Sequence, residues 1–191
     1  MKLRLLAALF FLTLQIHALA QIKTTYYAGS SQKSSEGMLL NASPQVFSPA
    51  FDQMPKQQQD QLMASASRDG VWKSWYQSGA LQSEQVYSNG SYAGLWKAYH
   101  PDGVLSYELD FNNGTARYYH PNGQVMNSGQ ITADYKKTGL WKSFDENGQL
   151  ISEGNYLSNN KDGVWKWFRP DGSVDSEEVF QNGNRISFKK R

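Results

Sequence analysis

The sequence of 191 residues contains no cysteine and only three histidines. Without thiols no disulfide can staple the fold, so stability has to come from stacked aromatics and sheet hydrogen bonds. His17 lies in the N-terminal apolar stretch, which leaves His100 and His120, each placed before a proline in equivalent turns. Equivalent sites on adjacent hairpins are two strands, ~9–10 Å, apart, too far for one metal ion whose ligands sit at ~2 Å. Metal-protease, nucleophile-elbow and phosphate-loop motifs are all missing. Ser30/Lys33, Ser158/Lys161 and Ser187/Lys190 share the spacing of some acyl enzymes, but that chemistry needs both groups on one helical turn, and these fall in loops or strands. The acid pairs Asp145-Glu146 and Glu177-Glu178 are sequence neighbours, which in strands point apart. The expectation is a protein with no catalytic residues, no metal and no cofactor.

Charge of one sign is also lacking. Removing Lys2 and Arg4 with the N-terminal stretch brings the 19 basic residues level with the 17 acidic ones. A neutral chain has no basic face, which disfavours nucleic-acid partners. The basic end, Lys189-Lys190-Arg191, is read as a solvated tail. The N-terminal stretch itself follows Lys2 and Arg4 with an apolar core from Leu5 to Leu14 and ends Ala18-Leu19-Ala20. This pattern predicts a secretory signal peptide over 1–20, cut before Gln21. It is too short for a stable membrane span, which needs ~20 apolar residues, and Gln15 and His17 interrupt it. With no cysteine after the cut, the product is not a lipoprotein. It is expected to be periplasmic or secreted.

What the sequence does have is a repeat. Gly94-Leu95-Trp96-Lys97-Ala98-Tyr99 is matched by Gly70-Val71-Trp72-Lys73-Ser74-Trp75, Gly139-Leu140-Trp141-Lys142-Ser143-Phe144 and Gly163-Val164-Trp165-Lys166-Trp167-Phe168. The period, from Gly70 to Gly94 and from Gly139 to Gly163, is 24 residues. A fixed period of this size marks units that cannot bury their apolar face alone and stack on their neighbours. Within a unit, an aromatic run leads through Pro101-Asp102-Gly103 or its equivalents (Gln77-Ser78-Gly79, Pro121-Asn122-Gly123, Glu146-Asn147-Gly148, Pro170-Asp171-Gly172) into a Leu- or Val-bearing run. That is one β-hairpin per unit. Asn89-Gly90, Asn113-Gly114, Asp162-Gly163 and Asn182-Gly183 are expected to connect units, making an antiparallel meander.

The pattern G-x-W-K-x-(Y/F)-x-x-(N/D)-G-x-(L/V)-x-x-E-x-x-(Y/F)-x-x-G resembles the bacterial MORN-repeat variant, as found in the YwqK-family antitoxins, over roughly residues 70 to 183. One unit departs from it: Gly114-Thr115-Ala116-Arg117-Tyr118-Tyr119 carries Ala116 where Trp is expected, and its turn glycine Gly123 comes only 20 residues after Gly103. The resemblance implies a repeat fold and, through its antitoxin label, neutralisation of a toxin.

Residues 21–69 form an N-terminal extension, with 70–191 as the repeat domain. Tyr26-Tyr27 followed by Ser35-Glu36-Gly37 looks like a degenerate first hairpin, and the good helix formers after Pro55 predict a short helix around 54–66. Phe47, Phe51, Leu62 and Met63 are available to cover the open end of the sheet. The fold class expected is therefore all-β: tandem hairpins in an elongated antiparallel meander, with a short N-terminal helical segment.

Along the second strand of a unit, Leu105, Tyr107, Leu109 and Phe111 alternate with Ser106, Glu108 and Asp110, giving an apolar and a polar side. Trp96 and Tyr99 are three apart, so either both faces carry aromatics or a bulge re-aims one. Lys73, Lys97, Arg117, Lys142 and Lys166 run beside Glu84, Glu108, Glu153 and Glu177 as ladders that fix register. Aromatics dominate interface energetics, so Trp72, Trp96, Trp141, Trp165, Tyr99, Tyr119, Phe144 and Phe168 are the candidate binding surface. The expected function is a non-enzymatic scaffold of the bacterial envelope that binds a protein partner. Toxin neutralisation is the alternative, and binding of a cell-wall glycan across spaced Trp rings a lesser one. Intact-mass measurement of the protein recovered from its native cells should find a chain beginning at Gln21; a chain that retains Met1 overturns the export expectation.

Overall fold

The computed structural model describes residues 20–191; the expected signal peptide lies outside the described residues but for Ala20. Thirteen strands form one sheet in strict sequence order, each pairing antiparallel with the next. They are β1 (Gln21–Tyr26), β2 (Lys33–Leu40), β3 (Ser67–Trp75), β4 (Leu81–Ser88), β5 (Ser91–Tyr99), β6 (Leu105–Asp110), β7 (Thr115–Tyr119), β8 (Val125–Ile131), β9 (Lys137–Phe144), β10 (Leu150–Leu157), β11 (Asn160–Phe168), β12 (Val174–Gln181) and β13 (Asn184–Lys190). The expected meander of tandem hairpins is what the chain forms.

The repeat is held by one device. Where β11 crosses β10, Glu153 pairs with Lys166 and Asn155 with Asp162, so the three residues Gly163-Val164-Trp165 lie opposite the single residue Gly154. The same wide bulge sets Gly70-Val71-Trp72 against Gly37, Gly94-Leu95-Trp96 against Gln85, and Gly139-Leu140-Trp141 against Gly129. The bulge glycines adopt φ of 59° to 70°, a region that excludes most side chains. Each indole is thereby laid over the preceding strand, and its N–H donates to the carbonyl just past the bulge: Met38, Val86, Gln130 and Asn155, at 3.0, 2.6, 2.9 and 3.0 Å. Gly37, Gly129 and Gly154 make room for the ring, since a Cβ at any of them would stand 2.1 to 2.4 Å from indole carbons.

The four tryptophans are 3% to 7% exposed and form the core with Leu39, Val46, Tyr87, Leu109 and Ile131. Ring contacts join Tyr87, Tyr92, Trp96 and Phe111 in one cluster and Trp141, Tyr156, Trp165 and Phe180 in another. Cations sit over the indoles four residues downstream of them: Arg68 at 4.7 Å from Trp72, and Lys137 and Lys161 each at 4.3 Å from Trp141 and Trp165.

Two expectations change and one open alternative is resolved. Asp162-Gly163 is not a connection, because it lies inside β11 as the start of the bulge; the actual turn is Ser158-Asn159, both at positive φ. Leu105 does not share a face with Tyr107: the register shift at Ala98/Tyr99 leaves Ser106 as an extra residue, so Leu105 pairs with Tyr99 while Tyr107 pairs with Ala98. Both faces carry aromatics, for Tyr119 donates to Glu108 on the side away from the tryptophans.

The short unit is entered by regular pairing. β6 and β7 pair without a shift, and Ala116 lies opposite Leu109 with no bulge and no indole. Instead Tyr135, from the longer turn after β8, closes against Phe111 at a ring distance of 6.5 Å and shares a 2.6 Å hydroxyl contact with Tyr118. At the other end, β1 and β2 form a hairpin in which Lys23 occupies the Trp position opposite Gly37. The segment between β2 and β3, including the helix α1 (Lys56–Met63), covers that position: Lys23 donates to the Val46 carbonyl at 2.8 Å and lies over Phe51 at 4.5 Å. The cap thus seals the end of the tryptophan face.

Truncating a buried tryptophan of this kind, Trp141→Ala, is expected to cost about 3–5 kcal/mol. Gly154→Ala, whose φ is unstrained, should cost about 1–3 kcal/mol by overpacking alone and red-shift tryptophan fluorescence as Trp165 lifts off. Thermal unfolding measures both; an unchanged melting temperature in Gly154→Ala would show that the indole is not seated against the backbone.

Candidate interaction face

With the indoles committed to one side, the opposite side, here called the lysine face, is built from three rows that cross the strands. The residue between bulge glycine and tryptophan points there: Val71, Leu95, Leu140 and Val164 are 42% to 53% exposed, well beyond what a core position would show. Two residues on comes the cation row. Lys73 pairs with Glu84 at 2.8 Å, Lys97 with Glu108 at 3.7 Å and Lys142 with Glu153 at 3.7 Å, each across its own hairpin. Two residues further is the aromatic row, where Trp75, Tyr99, Tyr119, Phe144 and Phe168 pair with Leu81, Leu105, Val125, Leu150 and Val174. All five aromatics are half-buried.

Of the eight residues read from sequence as a binding surface, the structure therefore brings Tyr99, Tyr119, Phe144 and Phe168 together on this face. Trp72, Trp96, Trp141 and Trp165 are placed behind it in the core, because the bulge turns each indole onto the neighbouring backbone. Sequence reasoning did not single out Val71, Leu95, Leu140 and Val164. The signal that marks them is the aliphatic residue between Gly and Trp in every full unit, a position a wide bulge exposes.

The electrostatics follow from the pairing. Lys73 is raised above the usual lysine value, first by its hydrogen bond to Glu84 and then by that carboxylate's charge. Tyr119 is pushed up to about 12, mainly by burial and next by its hydrogen bond to Glu108. On the other face, burial against aromatics lowers Lys137 and Lys161. The turns add a further ladder. The Tyr76 hydroxyl donates to the Tyr99 carbonyl at 2.7 Å and the His120 ring to the Phe144 carbonyl at 2.9 Å, which gives His120 a structural task. Among the described residues no cluster of three or more His, Cys, Asp or Glu could hold a metal, and no helix is long and apolar enough to cross a membrane.

A single sheet of hairpins with a packed side and a patterned side is the architecture of a repeat protein. Five segments, 68–89, 93–113, 112–131, 137–157 and 161–182, match the MORN repeat variant, and the chain belongs to that family. MORN repeats are in general binding units without catalysis. No curated protein matches the chain. Among solved structures, TarM is similar at 9% identity and a TM-score of 0.36, over 49% of this chain and 19% of its own. A mutant S. aureus TarM in complex with Fondaparinux, alpha-GlcNAc-glycerol and UDP is similar at 8% identity and a TM-score of 0.31, over 61% of this chain and 19% of its own. The chain thus spans about a fifth of the length of these structures.

The sign of the Tyr119 shift gives its contribution to stability a direction with pH. A folded pKa above the usual ~10 contributes stability that is complete below pH ~10 and is lost as pH rises through the folded value. Urea unfolding should show Tyr119's share of stability disappearing between the ordinary tyrosine value and about 12, with a smaller loss over that range in Tyr119→Phe. An equal loss in both proteins would show that the Tyr119 hydroxyl is not held by Glu108.

Proposed function

We propose that this protein is a non-enzymatic scaffold of the bacterial envelope, exported after cleavage before Gln21, that binds a protein partner along its lysine face. The observation that supports this is the row of exposed Val71, Leu95, Leu140 and Val164, set at the middle of the bulges of the full repeats and flanked by ion pairs. Aliphatic side chains left open at a fixed interval, beside half-buried aromatics, give a partner both apolar area and register. Neutralisation of a toxin, the narrower role implied by the YwqK-family likeness, would use the same contact surface and differ only in the partner. Stacking of a cell-wall glycan on the tryptophan row gets no support, since those rings are 3% to 7% exposed.

Cross-linking in cells followed by mass spectrometry of the captured chains tests the proposal. A recurrent protein should be captured by the wild type and lost at least ~tenfold, equivalent to ~1.4 kcal/mol, in Leu140→Asp. The melting temperature of the variant should be unchanged, because Leu140 is 47% exposed. Undiminished capture by Leu140→Asp would move the interaction to another surface, and absence of any recurrent protein would overturn the scaffold reading.

A further inference from the structure

On the lysine face, the row of glutamates that stand opposite the cations has one gap. In each hairpin the cation that follows the tryptophan position pairs in register with one residue of the second strand: Lys73 with Glu84, Lys97 with Glu108, Lys142 with Glu153 and Lys166 with Glu177. In the hairpin β7–β8 the cation is Arg117 and its partner is Ser128. On its other side Arg117 pairs in register with Glu108, but that carboxylate is already taken: Oε1 lies 3.7 Å from Lys97 and Oε2 accepts from Tyr119 at 2.7 Å. Among the described residues Arg117 makes no ion pair, and its side chain is exposed. Beyond Ser128 the next residue across the sheet is Lys142, whose own carboxylate, Glu153, lies 3.7 Å away.

A depression of about 310 Å3 lies at this place, lined by Arg117, Gln124, Val125, Ser128, Phe144 and Gly148. Its walls combine the free guanidinium and the serine hydroxyl with the apolar Val125 and Phe144.

We propose that this depression is a binding pocket for a carboxylate side chain of a protein partner, held by Arg117 and the Ser128 hydroxyl where the chain itself has no glutamate. The inference rests on the scaffold reading and specifies the chemistry of its contact. An acid entering above Ser128 stands one strand, ~5 Å, from Arg117, within reach of that long side chain. Arginine presents a planar fork that meets a carboxylate through two parallel hydrogen bonds, and the Ser128 hydroxyl supplies a third donor. Phe144 and Val125 favour apolar residues next to that acid. At Lys73, Lys97 and Lys142 the protein's own glutamate already occupies the place, and beside Lys166 the Glu177 carboxylate is held by Arg191.

The test uses the isotope-labelled protein from Gln21 to Arg191 and two peptides, acetyl-Leu-Glu-Leu-amide and acetyl-Leu-Gln-Leu-amide, with inorganic phosphate as a third probe. The Glu peptide should shift the NMR signals of the Arg117 guanidinium and the Ser128 amide, and the Gln peptide should not. Ser128→Glu, which fills that gap, and Arg117→Ala should each weaken Glu-peptide binding at least tenfold while leaving the melting temperature unchanged or, for Ser128→Glu, raised. Equal shifts from the Glu and Gln peptides, or shifts from phosphate alone, overturn the proposal. The same two variants in the cross-linking experiment separate the two readings: capture that survives both leaves the scaffold standing and removes this pocket from it.

Discussion

The indole N–H of each full repeat, held on the backbone carbonyl of the preceding strand, is the contact on which the sheet depends. It satisfies a donor that burial would otherwise strand, and it ties a bulged strand to its neighbour at the one point where the ladder is interrupted. It also explains the pairing of residue types. The glycine at positive φ opens the bulge, the tryptophan closes it, and at three of four crossings a glycine on the facing strand gives the ring its seat. A sheet one layer thick has no second layer to bury its apolar side, and here the rings themselves are that layer.

The same bulge divides labour between the faces. Because three residues oppose one, the residue between glycine and tryptophan is carried outward, and an aliphatic there costs the core nothing. The tryptophan side is thereby fixed in composition by packing, whereas the lysine side is free to vary. Its ion pairs are exposed, worth little to stability, and can be exchanged or left incomplete without loss of fold. The irregular hairpin shows that freedom: Ala116 and Ser128 face each other's strands, one removing a ring from the packed side and the other a charge from the open side.

The architecture was legible because its causes are local. A period of 24 residues, a turn signal in each half and aromatic runs are enough to specify stacked hairpins, and the helix after Pro55 follows from propensity. Face assignment was not legible, for alternation by two assumes an unbroken ladder, and each full unit breaks it twice. Leu105 and Tyr107 are two apart in sequence yet end on opposite faces because Ser106 is extra. Asp162-Gly163 has the composition of a turn and serves as a bulge, since a positive φ is needed in both settings. The candidate surface was half legible for the same reason: residues three after the tryptophan reach the open face, while the tryptophans are drawn to the backbone by a hydrogen bond that no residue pattern announces.

Strand order and sequence order coincide from β1 to β13. The chain can therefore be assembled by a front that advances one strand at a time, each step except that from β2 to β3 closing a loop of a few residues before the next begins. A front of this kind gains an indole seat at β3, β5, β9 and β11, but at β7 it must pass over regular pairing that carries none. That crossing is closed instead by the Tyr107 and Tyr118 rings, 5.9 Å apart, so the zipper keeps its run there on a tooth of a different cut.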